Sequence, residues 1–258
     1  MEKFDKLVDI IKVLREPNGC PWDREQTLKS LKPHLLEETY EVLEAMDIGG
    51  DHLKSELGDL LLQIIFQSQI STENKEFTIE DVLDSINEKM IRRHPHVFNK
   101  NKEDITTEEV LVNWEKIKSK EKEHQDRKSV LDGIPKGMTS LLVAEKMQKK
   151  ASKVGFDWEH VEDVLKKVDE ETLELKEEIL KDNKNNIEEE LGDLFFSLVN
   201  LSRHLNINPE ICLSNANKKF EKRFKYVEKN CTLKEATISE MSNLWNESKI
   251  KSIDILKK

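Results

Sequence analysis

The sequence predicts an all-α protein in which one helical unit occurs twice. Charged residues make up 36% of the chain and aromatics only 6%, with eight glycines among 258 residues. That balance suits helices with solvated outer faces, and no segment alternates as a strand ladder would. The third observation is a repeat. Glu37-Glu38-Thr39-Tyr40-Glu41 and then Glu56-Leu57-Gly58-Asp59-Leu60 return as Glu170-Glu171-Thr172-Leu173-Glu174 and Glu190-Leu191-Gly192-Asp193-Leu194. The chain is long enough for two ordinary domains, and the internal repeat makes two the expected count.

Periodicity places helices over 2–15, 25–47, 51–72, 79–93 and 107–124, then over 139–154, 159–181, 186–205, 209–229 and 239–250. The first is amphipathic through Phe4, Leu7, Val8, Ile11 and Leu14, and it stops at Pro17-Asn18-Gly19. Gly49-Gly50 divides the second helix from the third. Asp182-Asn183-Lys184-Asn185-Asn186 makes the equivalent break in the second half. Charge-dense Lys118 to Lys128 leads into Asp132-Gly133-Ile134-Pro135-Lys136-Gly137, the clearest linker. The expected organisation is one domain over 1–122, a linker over 123–138 and a second domain over 139–258.

The duplication extends past the acids. Lys89 and Arg93 correspond to Lys219 and Arg223, and Trp114 and Lys118 to Trp245 and Lys249, each pair spaced i,i+4. Upstream, Cys20-Pro21-Trp22-Asp23 is echoed by Gly155-Phe156-Asp157-Trp158. An ordered set of matching residue types is hard to obtain twice by chance.

A formal net charge of −10 argues against a general nucleic-acid or membrane surface. No P-loop and no G-x-G-x-x-G turn is present, so the usual backbone phosphate cradles are absent. Cys20, Cys212 and Cys231 are odd in number and lack C-x-x-C spacing, which points away from disulfides and zinc and toward a reducing cytoplasm. The N-terminal helix has no apolar signal core, and the longest apolar stretch, Leu60 to Ile70, is broken by glutamines. A cytoplasmic protein is expected.

On a helix turning about 100° per residue, Glu37, Glu38 and Glu41 fit within one arc, and Glu56 and Asp59 share a face of the next helix. The Gly49-Gly50 turn makes the two an antiparallel hairpin, so their acidic faces should meet at one level. Glu170, Glu171 and Glu174 should meet Glu190 and Asp193 in the same way, with Glu189 adjacent. A lone glutamate-rich helix face is ordinary solvated charge. Here Asp59 and Asp193 each interrupt an apolar run at the same place, which solvation does not explain. Clustered carboxylates are costly unless a cation sits among them. With no His or Cys in the set, an all-oxygen site for Mg²⁺, with Mn²⁺ as the alternative, is expected. The Glu-x-x-His pairs of a di-iron bundle are missing. Mg²⁺ of this kind bridges to substrate phosphates.

Lys219 and Arg223 could grip a polyphosphate from one helical face, or be rungs of a surface charge ladder. Trp245 with Lys249 could stack a base and hold a phosphate, or be a core tryptophan under a snorkelling lysine. Recurrence at Trp114 and Lys118 favours the first reading. His94-Pro95-His96 follows basic Arg92-Arg93 and reads as structural or as a phosphate-side contact.

These residues resemble the MazG family of nucleoside triphosphate pyrophosphohydrolases over essentially the whole chain. The E-E-x-x-E hairpin with E-x-x-D carries the likeness. Gly19-Cys20-Pro21-Trp22-Asp23, Arg92-Arg93-His94-Pro95-His96-Val97-Phe98, Val154-Gly155-Phe156-Asp157-Trp158 and Asn200-Leu201-Ser202-Arg203-His204-Leu205 are similar to the two-domain form in particular. The resemblance implies helix hairpins that build four-helix-bundle sites in a homodimer. It implies Mg²⁺-dependent hydrolysis of nucleoside triphosphates between the α and β phosphates. It also implies metal ligands at Glu171, Glu174, Glu190 and Asp193, and a catalytic role in positioning water or metal for Glu170, Glu171 and Glu189. Nucleotide binding falls to Lys167, Lys219, Arg223, Trp245 and Lys249. The first-half counterparts are Glu38, Glu41, Glu56 and Asp59 for metal, and Lys89, Arg93, Trp114 and Lys118 for nucleotide. Ser55 stands where the second half has Glu189, and His34 where it has Lys167, so the second half is the expected main catalytic one. A dUTP- or phosphoribosyl-ATP-type hydrolase, or a regulatory nucleotide-binding protein without turnover, shares much of this pattern.

Overall fold

The computed structural model describes residues 2–98, 105–119, 121 and 128–255. Among them every regular element is a helix. The chain divides into two compact units, Met1–Gln125 and Asp126–Lys258.

The first unit contains α1 (Glu2–Arg15), α2 (Pro21–Glu25), α3 (Lys32–Ile48), α4 (Gly50–Glu73), α5 (Ile79–Arg93), α6 (Pro95–Phe98) and α7 (Thr107–Ser119). The long α4 is its spine, with α1, α3 and α5 packed on it and α7 on α5. Ile11, Leu31, Ile65, Phe66, Ile70 and Ile79 form the buried core, flanked by Phe4, Leu7, Val8, Leu14, Leu62 and Val82. Gly49 and Gly50 turn α3 back along α4 at φ of +77° and +59°, values a side chain would strain. A capping box at the start of α5 pairs Thr78 with Asp81.

The helix expected over 25–47 begins only at Lys32, and a separate short helix, Pro21–Glu25, precedes the break at 26–31. The backbone amides of Thr27 and Ser30 each donate to the other's hydroxyl, at 2.9 and 3.1 Å, and this local loop competes with helix over 26–31. Pro33 then suits the first turn of α3 but would break a helix interior. The helix expected over 107–124 ends at Ser119 in the structure; Lys120 and residues 122–124 lie outside the described residues.

The second unit contains α8 (Ser140–Ser152), α9 (Val161–Lys181), α10 (Lys184–His204), α11 (Pro209–Asn230) and α12 (Ile238–Ile255). Helices α9 and α10 pack as a hairpin, its turn made by Asp182 at φ +54°. Helix α8 packs on α10 and α11, and α12 on α11. Val164, Val199 and Val227 are buried, as are the polar Glu145, Gln148 and Ser197. Helix α12 runs beyond the expected stop at 250.

The hairpins keep large apolar side chains outward. Leu57, Leu61 and Ile64 on α4, at i, i+4 and i+7, are exposed, and so are Leu191, Phe195 and Leu198 at the matching positions of α10. Among the described residues no helix is long and apolar enough to cross a membrane.

Candidate functional site

In each unit the helix hairpin brings carboxylates from both of its arms together. Glu38 on α3 and Glu56 and Asp59 on α4 each place one carboxylate oxygen within 4.8 Å of the other two. In the second unit Glu171 and Glu174 on α9 meet Glu190 on α10 within the same 4.8 Å. The two triples draw on different members. Glu41 and Asp193 are not in them, yet their charges reach Glu38 and Glu190 respectively.

Such crowding shows in proton affinity. Glu38 holds its proton more tightly than an ordinary glutamate, first through burial and then through the charges of Asp59, Glu41, Glu37 and Glu56. Glu190 is raised likewise by burial, then by Glu174, Glu171, Asp193 and Glu189. Three carboxylate oxygens facing one small space repel unless protonated or bridged by a cation. The donor set is oxygen alone, which fits a hard divalent ion.

The second cluster carries its own cation. Lys167 donates to Glu170 Oε1 at 2.7 Å, and its Nζ also lies 2.7 Å from Glu171 Oε1. Bonds to Glu170 and then Glu171 hold the lysine charged well beyond its usual range. Glu171 is buried, and Glu170 and Glu189 beside it are exposed. In the first unit His34 stands 3.9 Å from Glu37, a weaker partner than Lys167.

The basic and aromatic residues gather on the following helices. Arg93 at the end of α5 lies over the Trp114 ring of α7 at 5.1 Å, and Lys118 Nζ lies over the same ring at 4.9 Å. Lys89 sits one turn before Arg93 on α5. In the second unit Arg223 of α11 lies over the Trp245 ring of α12 at 5.8 Å. Lys219 is exposed one turn earlier, and Lys249 donates to Asn246 Oδ1 at 2.9 Å. Sequence reasoning missed Phe220, whose ring is 5.1 Å from Trp245 and stacks on Phe224 at 5.8 Å. The i,i+4 aromatic pair was the available signal. Glu121 was missed as well: Arg93 Nε and Nη2 donate to it at 3.1 and 2.6 Å, and Arg92 Nη2 at 2.8 Å.

Other side chains, some of them from the quoted motifs, brace the units. Arg203 Nη1 donates to Asp157 Oδ2 at 2.9 Å, and His204 Nε2 lies 3.1 Å from Asp157 Oδ1, holding that carboxyl below its usual range. Arg15 donates to both carboxylate oxygens of Glu73, at 2.8 and 2.7 Å. His94 Nδ1 is 2.7 Å from the Met90 carbonyl at the end of α5, a helix-end contact.

Residues 26–98 and 159–228 each match the MazG nucleotide pyrophosphohydrolase domain. The chain belongs to the MazG family. Both acid clusters, and the Lys89–Arg93 and Lys219–Arg223 pairs, fall inside the matched MazG segments, whereas Trp114 and Trp245 lie beyond them. The chain is 46% identical over 252 residues to the nucleoside triphosphate pyrophosphohydrolase/pyrophosphatase MazG of Thermotoga maritima, covering 95% of each. It is 41% identical over 266 residues to the nucleoside triphosphate pyrophosphohydrolase of Escherichia coli K12, covering 99% of this chain and all of that one. A crystal structure of a mazG-related protein from Thermotoga maritima, 27% identical, aligns with a TM-score of 0.39 over 45% of this chain and 99% of its own.

Proposed function

We propose that the chain hydrolyses nucleoside and deoxynucleoside triphosphates between the α and β phosphates, using Mg²⁺, and releases the monophosphate and pyrophosphate. The observation that carries this reading is the recurrence of one carboxylate cluster on the same hairpin of both units. Bound Mg²⁺ supplies charge neutralisation at the phosphates and a more acidic water.

In the second unit Glu171, Glu174, Glu190 and Asp193 would hold the metal, with Glu170 and Glu189 at the edge to orient water and take its proton. The water oxygen bonds to the α phosphorus as the bond to the bridging oxygen breaks, and pyrophosphate leaves with that electron pair. Lys219 and Arg223 would grip the phosphates, Arg223 as a planar fork, and Trp245 would stack the base. Lys249, one turn on from Trp245, would add a phosphate contact. Lys167 would keep Glu170 and Glu171 in place and meet the substrate's negative charge. Glu38, Glu41, Glu56 and Asp59, with Lys89, Arg93, Trp114 and Lys118, form the first-unit counterpart.

Most turnover is assigned to the second domain, 139–258, after a first domain over 1–122 and a linker over 123–138. The lysine in the second cluster and the exposed Glu189, where the first unit has His34 and Ser55, support that ranking. The outward apolar stripes on α4 and α10 support a homodimer in which hairpins pair as four-helix bundles. A cytoplasmic role in clearing aberrant nucleotides or controlling nucleotide pools suits a broad substrate range, and the net charge suits neither a nucleic-acid polymer nor a membrane as partner.

The test is pyrophosphate release from a panel of ribo- and deoxyribonucleoside triphosphates, with Mg²⁺, with Mn²⁺ and with chelator. Broad, metal-dependent release of pyrophosphate and monophosphate is expected. Release from a single nucleotide would replace the reading with a specialised dUTP- or phosphoribosyl-ATP-type hydrolase. Binding without release would make the chain a regulatory nucleotide-binding protein.

A further inference from the structure

We propose that Glu121 is an internal anion that fills the basic cradle of the first unit, leaving each chain one open nucleotide cradle, on α11 and α12, and one closed cradle, on α5 and α7. The inference rests on the reading of these cradles as nucleotide sites.

Three observations carry it. Arg93 offers its fork to Glu121, Nε to one carboxylate oxygen at 3.1 Å and Nη2 to the other at 2.6 Å, while Arg92 adds a bond of 2.8 Å. A carboxylate bound in this way takes the same planar donor edge that a phosphate would take. The pair is withdrawn from water, with side chains 13% and 8% exposed for Arg93 and Glu121. Glu121 is also held by its backbone, whose amide donates to the Lys118 carbonyl at 3.2 Å, one turn past the lysine that covers Trp114.

Among the described residues the second unit repeats the cradle without the acid. Arg223 lies over Trp245 as Arg93 lies over Trp114, yet its Nε is buried with no hydrogen-bond partner among the described residues. Buried guanidinium donors are nearly always satisfied, so this one is shaped for an acceptor from outside the unit. The sequence also differs at the same spacing from each tryptophan. Glu121 follows Trp114 by seven residues, and the residue seven beyond Trp245 is Ser252. In the first unit an acid fills the fork of Arg93; in the second the buried Nε of Arg223 is left for a phosphate oxygen.

An ordinary helix brace is the competing explanation, and stoichiometry separates the two. The full chain is titrated calorimetrically with the α,β-methylene analogue of ATP, which cannot be cleaved at that bond, in Mg²⁺. Wild type should bind one equivalent per chain, E121A two, and E121A combined with R93A one again. E121Q, which keeps the side chain's size and loses its charge, should also gain binding, more weakly than E121A. Circular dichroism checks the fold, and if E121A fails to fold, E121Q decides. A folded E121A or E121Q with wild-type stoichiometry would overturn the proposal, as would two equivalents on wild type. The nucleotide reading is judged on wild type alone: no analogue bound and no pyrophosphate released would remove it. The difference between variant and wild type judges Glu121.

Discussion

Glu190 and Glu38 are where the chemistry of single residues is most exposed to test. Both are raised above the ordinary glutamate value of 4.5, chiefly by burial and then by neighbouring acids. A carboxyl raised in the folded state stabilises the fold below its unfolded pKa, and that contribution is lost as pH rises through the folded value. Glu121, pulled down to about 2 by Arg93 and Arg92, has the opposite sign: its contribution is present above 4.5 and lost as pH falls toward 2. Mg²⁺ binding needs the clusters deprotonated. The rise in Tm on adding Mg²⁺ should therefore be larger near pH ~7 than near pH ~5. A pH-independent increment would argue that the ion binds elsewhere. Mutations rank the units: D193N or E190Q should remove nearly all pyrophosphate release, on the order of 10²-fold or more, while D59N leaves most of it. Equal losses would show that both units turn over substrate.

At the scale of elements, the hairpins explain why acids separated in sequence share one space, and two glycines sharpen the point. Gly58 and Gly192 lie inside α4 and α10, where glycine costs about 1 kcal/mol against alanine. A Cβ at either position would meet nothing within 4 Å, so the unit itself does not require glycine. Each follows the first leucine of the outward apolar stripe, Leu57 or Leu191. G192A should raise Tm, in line with helix propensity, while lowering activity by blocking a close approach from outside the unit. Higher Tm with full activity would mean that nothing packs there. Most of these helices were legible from period and punctuation, and the α3–α4 turn from Gly49-Gly50. The split at 26–31 was not, because it depends on side-chain hydroxyls capping one another's backbone, which apolar periodicity does not register. Within the site, the acids were legible from their repeat. Glu121 was not, since its arginine partners lie on another segment, and Phe220 offered only its i,i+4 spacing to Phe224.

For the whole molecule, the exposed stripes set the expectation. Phe195 is 54% exposed and Leu180 87%, on helices whose opposite sides are packed within their own unit. A second copy that covers these faces would complete two thin cores at once. Light scattering on the eluting protein should give twice the chain mass. Phe195→Asp should shift it toward monomer and cut pyrophosphate release in parallel. A monomeric wild type with full activity would remove the dimer from the proposal.

What the sequence by itself determined is the helical class, the duplication and the acids, because each is written in local period or in repeated residue types. The family follows from the same residues. Which oxygens meet, and in which combination, was decided only by tertiary structure: Glu38 with Glu56 and Asp59 in one unit, Glu171 with Glu174 and Glu190 in the other. So was the contrast between an arginine satisfied by Glu121 and one whose buried Nε has no partner among the described residues. Spacing along a helix sets the face a side chain occupies. The distance between two such faces depends on how the helices pack, and helix packing is not a local property of the chain.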